Sequence, residues 1–517
     1  MTNARIDPLR SGGDQKASFC RASVLLLLIA VVVCPGALRA DDWPQFRGPN
    51  CCGISATLKP LPVKFSNTSN VRWSATVGDG VGGAVVVAGR VFVSGMTKKD
   101  TVSLFAFDAE TGRKLWQRDW PAGALPEVHQ TNSHASSTPA ADTDRVYFYF
   151  SSLGLLAVDA RSGEDMWRRP LPVPFFVFKW GAGMSPVLYR DMLLFCQDDD
   201  LHPALYTFDR ATGKQLWKDD RLDMAVNYSH PVINTVDGRD EIVVAGTGLL
   251  IGYDPQTGQR RWYAKTLLRN IKTTPVCVDG VIYISVQSSG IANQWLVAVD
   301  QAETGNKDGK VDKSEIQAFA GQAPIPDTFF QRTFDRGDLD QDGFLEGPEL
   351  DVAFLHPDNF SGAKFTSLGE SAAEEFILAV QGGGVGNVSL SHVLWKHRTK
   401  HTDHIVSPLV SDGRILLVKG GGISTVFETR AGTPLRGPKR LANATNYFAS
   451  PVSGDGKIYL AGENGRIVVL KNGADYEELA VNDIGGSVVA TPAIADGALY
   501  IRTRDRLLCI AQSAGEK

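Results

Sequence analysis

The chain has 517 residues, with 53 basic against 57 acidic side chains and a formal net charge of −4; 43% of its residues are hydrophobic and 21% charged. That balance belongs to a soluble globular protein with ample core. The weak net charge and the lack of a long basic run exclude a general nucleic-acid binder.

The first element in chain order is a targeting segment. Arg5, Arg10, Lys16 and Arg21 precede the apolar run Val24–Val33, followed by Pro35, Gly36 and "ALRA". A membrane-spanning helix needs about twenty apolar residues, so this shorter run reads as a signal peptide over residues 1–40, cleaved after Ala40. The protein is therefore expected to be exported, to the periplasm or beyond, with no transmembrane segment after signal removal. Residues 41–69 form an N-terminal extension carrying the adjacent pair Cys51–Cys52, readable as a vicinal disulfide or as two thiols. Cys277 and Cys509 lie in strand-like runs and are expected to be buried thiols. No CxxC pair supports zinc or thioredoxin chemistry.

Next comes a repeat. "FDAETGRKLW", "VDARSGEDMW", "FDRATGKQLW" and "YDPQTGQRRW" end at Trp116, Trp167, Trp217 and Trp262. The spacing, about 45–51 residues, suits one four-stranded propeller blade. Asp108, Asp159, Asp209 and Asp254 can accept turn N–H groups. Gly112, Gly163, Gly213 and Gly258 supply the left-handed turn residue. Each Trp is expected to pack against the neighbouring blade, because one sheet cannot bury both faces alone.

A proline opens successive blades at Pro139, Pro186, Pro231, Pro275, Pro408, Pro451 and Pro492, where no ladder donor is needed. With a first blade around "GGAVVVAGRVFVSG" the count is eight. The last blade is incomplete at the C-terminus, and Asn70–Val77 is the strand expected to close the ring. The later repeats lose the signature: "FETRAGTPLR" has Glu428 and Gly432, but Arg436 where Trp should stand. The expected fold is all-β, an eight-bladed propeller in residues 70–300 and 376–517.

These Asp-x-x-Thr-Gly-x-x-x-Trp repeats, with the opening "DWPQFRGPN" and the close "ATPAIADGALYIRTRDRLLCI", resemble the pyrroloquinoline-quinone-type (PQQ-like) β-propellers, in an exported bacterial branch. The resemblance covers nearly all of the mature chain. It implies the fold firmly and the activity poorly, since the superfamily holds quinoprotein dehydrogenases and non-catalytic scaffolds such as an outer-membrane-assembly lipoprotein.

Blade five is interrupted near Asp300 and resumes at "EFILAVQGGG", with Trp395 as its docking residue. Residues 301–375 between form an insertion that reads as a small α-helical EF-hand pair. In the second loop Asp338, Asp340, Asp342, Phe344 through its carbonyl, Glu346 through water and Glu349 fall at calcium-ligand positions around Gly343. In the first, Thr304, Asn306, Asp308, Lys310 through its carbonyl, Asp312 and Glu315 fit less well, because Thr304 replaces the usual first Asp. Leu345 is placed for a short β-bridge between the loops, and Phe330 and Phe334 share a helix face. Calcium is the expected cofactor, in a permanently loaded structural role.

No catalytic residue is assigned. A quinoprotein needs a planar cofactor near the axis, a calcium ion on its quinone oxygens and an Asp base. The loops found here are self-contained and inserted, and no CxxCH haem motif exists. PQQ is therefore not expected, although a PQQ-dependent alcohol- or sugar-dehydrogenase-like oxidoreductase remains the alternative. His397, His401 and His404 lack the helical spacing of a zinc site. Polar and aromatic residues ahead of the blade-opening prolines can instead converge into an axial funnel. These are Asn132, His134, Trp180, Asn227, Tyr228, His230, Asn270, Lys272, His401, His404, Asn446 and Tyr447. The expectation is a non-catalytic, calcium-binding scaffold of the cell envelope with a protein, peptide or glycan partner.

Overall fold

A computed structural model describes residues 41–512 except 177–178, 223, 225–226, 266–270, 288–298, 322–324, 326, 348, 351–352, 354–374 and 400–404. The expected signal peptide, Asn270, His401 and His404 lie outside the described residues. Among those described, no helix is long and apolar enough to cross a membrane.

Eight antiparallel sheets follow one another along the chain as the blades of a propeller. Blades one to four span 85–121, 140–169, 187–220 and 232–265. Blade five joins 276–287 to 375–398, and blades six and seven span 409–440 and 452–483. Blade eight takes its outer strand, Val71–Thr76, from the opposite end of the chain, where it pairs with Arg506–Ala511. The ring closes through this strand, which completes the last four-stranded blade. Buried Arg502 reinforces the closure by donating to the carbonyls of Gly78 (3.2 Å), Gly82 (3.0 Å) and Ser94, all next to or in blade one.

The repeat motif works as a latch between blades. Asp108, Asp159, Asp209 and Asp254 each accept N–H groups from their own turn, as from Thr111 at 2.9 Å and Thr212 at 2.8 Å. The outer-strand indole then donates to a carbonyl in the next blade's turn. Trp73 reaches Ala109 (2.9 Å), Trp116 reaches Ala160 (3.2 Å), Trp167 reaches Arg210 (3.1 Å) and Trp217 reaches Pro255 (2.9 Å). Trp395 reaches Thr429 at 2.9 Å in the same way. Each ring lies flat on the turn glycine beyond it. A Cβ added to Gly258 would stand 2.5 Å from the Trp217 ring, and one on Gly432 would stand 2.3 Å from Trp395. The glycine is thus required twice, for its positive φ and for the bare face it offers. Where Arg436 replaces Trp, its guanidinium makes the same kind of bond, to the carbonyls of Asp475 (3.1 Å) and Tyr476 (3.3 Å) in blade seven.

Trp262 departs from the expectation. It is fully buried in its own blade and donates to Glu241 Oε2 at 2.6 Å. The cause is blade five, whose outer corner is the glycine-rich segment 381–392 and not an Asp-Thr-Gly turn. That segment offers no docking carbonyl to Trp262. Instead Gly386–Asn387 adds as a short parallel strand beside Trp262 and Tyr263, and Gly383 N–H donates to Glu241.

The N-terminal extension is a brace across the hub. Trp43 pairs with Val86 of blade one, Pro44 accepts from Ala141 of blade two, and Gln45 accepts from Leu188 of blade three. Asn50 exchanges two hydrogen bonds with Ile233 of blade four, at 2.8 and 2.7 Å. Arg47 donates to Pro408 O at 2.7 Å, beside blade six, and Gly53 and Ser55 pair with Ser453 of blade seven. Lys59 meets Asp496 of blade eight.

The insertion holds the two described helices, α1 (Lys313–Ala320) and α2 (Asp327–Gly337), and a two-stranded bridge pairing Val311 with Leu345. Phe330 and Phe334 are buried together in its core.

Candidate functional site: an axial funnel and two acidic loops

The residue just before each blade-opening proline faces the axis. Six of these are hydroxyl residues, and their bonds link blades one to three and blades four to eight. Gly83 N–H donates to Thr138 Oγ1 (2.9 Å) and Thr138 N–H to Ser185 Oγ (3.0 Å). Farther round, Thr274 donates to Ser407 (2.9 Å), Ser407 to Ser450 (3.1 Å) and Ser450 to Thr491 (3.0 Å). His230 stands in the ring where its neighbours carry a hydroxyl, with Nδ1 3.1 Å from Thr274 Oγ1. Its ring stacks on Phe46 of the brace at 4.2 Å. Burial first, and then the Arg47 guanidinium, lower the His230 pKa to about 3, so the imidazole is neutral.

Above this floor opens a cavity of about 570 Å³. Of the expected residues, Asn132, Trp180, Tyr228, His230 and Lys272 line it. His134, Asn227, Asn446 and Tyr447 do not. Tyr447 is buried and donates to Asn443 O at 2.9 Å, while Asn227 accepts from Ile271 N–H and Asn446 donates to Glu463. His134 is half-buried outside the lining. Sequence reasoning missed the hydroxyl ring, although a Ser or Thr before proline at 138, 185, 274, 407, 450 and 491 was its signal. It also missed Phe46, whose place depends on the brace, and His129, which packs against Trp180 at 4.4 Å. His397 lies on an outer strand against Phe427, 5.1 Å away and outside the lining.

The described lining residues include one ammonium, Lys272, and no carboxylate. A calcium ion on a bound quinone needs anionic oxygens, and proton abstraction needs an Asp base. The described funnel supplies neither, so the quinoprotein cofactor set does not fit these residues. Cys51 and Cys52, in the brace, are free thiols. Burial pushes the Cys51 thiol up to about 12, which makes it a packing group and not a nucleophile.

The second candidate is the insertion. One carboxylate oxygen from each of Asp338, Asp340 and Asp342 falls within 4.8 Å of the others. In both loops the last Glu accepts from two backbone N–H groups of its own loop. Glu349 accepts from Leu339 N–H (2.8 Å) and Glu346 N–H (3.3 Å), as Glu315 accepts from Asn306 (2.8 Å) and Asp312 (3.1 Å). Gly309 and Gly343 make the sharp turns at φ +84° and +86°. Lys310 of the first loop points its ammonium at the second, 3.0 Å from Glu346 and 3.6 Å from Asp342. Thr304 contributes no charge, so the second loop is the more anionic.

The family model described as outer membrane protein assembly factor BamB matches residues 54–175 and 179–339, more than half of the chain. The chain belongs to that family. A curated relative, outer membrane protein assembly factor BamB of Yersinia pestis, is 25% identical over 248 residues, or 44% of this chain. The match spans only 58% of that relative's length. Among solved structures, BamB from Moraxella catarrhalis aligns at a TM-score of 0.48 with 12% identity, covering 86% of this chain and 99% of that one. A europium-containing methanol dehydrogenase aligns at 0.45 with 11% identity, covering 90% and 89%.

Proposed function

We propose that this protein is a non-catalytic, calcium-binding propeller scaffold of the cell envelope, whose axial funnel receives a segment of a partner protein. The carrying observation is the funnel itself. Its floor is a circle of hydroxyl residues and His230 with Phe46 of the brace stacked on it, its wall carries aromatic rings, and its described lining holds no carboxylate for redox or acid–base work. Membership of a family described as an assembly factor supports the envelope and protein-partner parts of this reading, and so does the signal peptide expected over residues 1–40.

In the insertion, Asp338, Asp340, Asp342, the Phe344 carbonyl, Glu346 and Glu349 would hold calcium. Thr304, Asn306, Asp308, the Lys310 carbonyl, Asp312 and Glu315 form the weaker set. Bound calcium neutralises the crowded carboxylates and so stabilises the folded loops.

The test is equilibrium binding of pyrroloquinoline quinone to the mature protein, followed by absorbance, with excess calcium and after chelation. The scaffold reading expects no binding in either condition. Calcium-dependent quinone binding that survives Glu349→Gln would overturn it in favour of an oxidoreductase. In parallel, terbium luminescence should report binding to the wild type, with affinity at least about tenfold weaker in Glu349→Gln.

A further inference from the structure

We infer that one segment, carrying Phe175, Phe176, Lys179 and Trp180, ties the insertion to the funnel wall, so that order in the funnel follows order in the insertion. The inference rests on the funnel reading above and names how that site is regulated.

The insertion leaves blade five, yet it packs on residues from a different part of the ring. Its core, built from Ile316, Phe329, Phe330, Phe334 and Leu345, is completed by Phe175 and Leu201. Phe175 lies between blades two and three, and Leu201 lies within blade three. Two hydrogen bonds tie Phe175 to the residues just before Leu201. Phe175 N–H donates to Asp199 Oδ2 at 2.8 Å, and its carbonyl accepts from Asp200 N–H at 2.9 Å.

The very next residue faces the other site. Phe176 stacks on Tyr228 at 5.4 Å and 17°, and Tyr228 lines the funnel. The Phe176 carbonyl accepts from Lys179 N–H (2.8 Å), and the Lys179 carbonyl accepts from His129 N–H (2.7 Å). His129 packs on Trp180, and Asn132 Nδ2 donates to the carbonyls of Trp180 (2.7 Å) and Ala182 (3.0 Å). His129, Asn132, Trp180 and Ala182 are all funnel wall. Residues 171–176 and 179–186 belong to no strand. Without a ladder, their order depends on these few hydrogen bonds and on side-chain contacts, and the insertion supplies a share of the contacts at Phe175. Loosening the insertion core removes that share and raises the population of open segments.

Hydrogen exchange with mass spectrometry reads this directly in the mature protein. Chelating calcium should speed exchange by about tenfold in peptides covering 129–136 and 179–183, while blade seven (452–483) stays unchanged. In Phe175→Ala, terbium binding should stay within about twofold of wild type, while exchange at 179–183 is fast with or without calcium. Equal exchange at 179–183 with and without calcium, in protein that terbium shows to be loaded, would overturn the inference. If neither terbium nor calcium binds, the calcium part of the proposed function fails alone. Phe334→Ala, which opens the insertion core without any metal, then decides: faster exchange at 179–183 supports the tie, and unchanged exchange overturns it.

Discussion

Replacing Gly258 by Ala tests the latch against a matched control in the same blade. Gly258 and Gly238 sit at nearly the same backbone angle, φ +73° and +74°. Both Ala substitutions therefore carry the same left-handed penalty, about 1–2 kcal/mol. Only Gly258 has a ring against it. A Cβ there would stand 2.5 Å from Trp217 Cδ2, whereas one on Gly238 meets nothing within 4 Å. Trp217 must then move, at a further cost of about 1–3 kcal/mol for overpacking. Any loss of its bond to Pro255 adds about 0.5–1.5 kcal/mol. Gly258→Ala should thus fall about 1–4 kcal/mol below Gly238→Ala in equilibrium urea unfolding followed by far-ultraviolet circular dichroism. Equal unfolding midpoints would refute the claim that these glycines exist to seat an indole.

Three further outcomes follow from the same structure. Arg502→Met strands the buried carbonyls that clasp blade eight to blade one and should cost about 3 kcal/mol or more, read as faster tryptic cleavage near Arg72 and Arg90. His230 has its pKa lowered from 6.5 to about 3, so the unfolded chain takes up a proton that the folded one refuses. Its contribution is complete above pH 6.5 and is lost as the pH falls towards 3, by about 2–3 kcal/mol at pH 4.5. His230→Asn should remove that part of the acid sensitivity, and an unchanged pH profile would count against it. Trp262→Phe leaves buried Glu241 short of a donor and should cost about 1–3 kcal/mol, against about 1 kcal/mol for Trp217→Phe at the rim, both by urea unfolding.

The repeat was legible because its parts are local. Asp108, Thr111, Gly112 and Trp116 lie within nine positions, and turn chemistry together with strand period dictates what they do. The acidic loops were legible for the same reason, since Asp338 to Glu349 is one short run whose alternation turns side chains inward. The ring closure was legible because an incomplete last blade and a spare first strand must meet. The exceptions depend on neighbours distant in sequence. Trp262 carries the full motif, yet it turns inward because the corner of blade five, more than a hundred residues later, withholds its docking carbonyl. Tyr447 matches the funnel pattern but is used up in a bond to Asn443. Phe46 and Arg47 read only as part of an opening motif and Cys51 as half of an adjacent cysteine pair, because only the closed ring creates the hub they fill. Likewise Phe175 and Phe176 are unremarkable in a loop until the fold places an insertion against one and a funnel behind the other. Sequence by itself determined the blades, because six of the eight are specified by contacts within about fifty residues, and the other two show in the pattern as an interruption in blade five and a missing strand in blade eight. Tertiary structure decided the site, because its walls come from every part of the ring and no local pattern records which side chains meet at the axis.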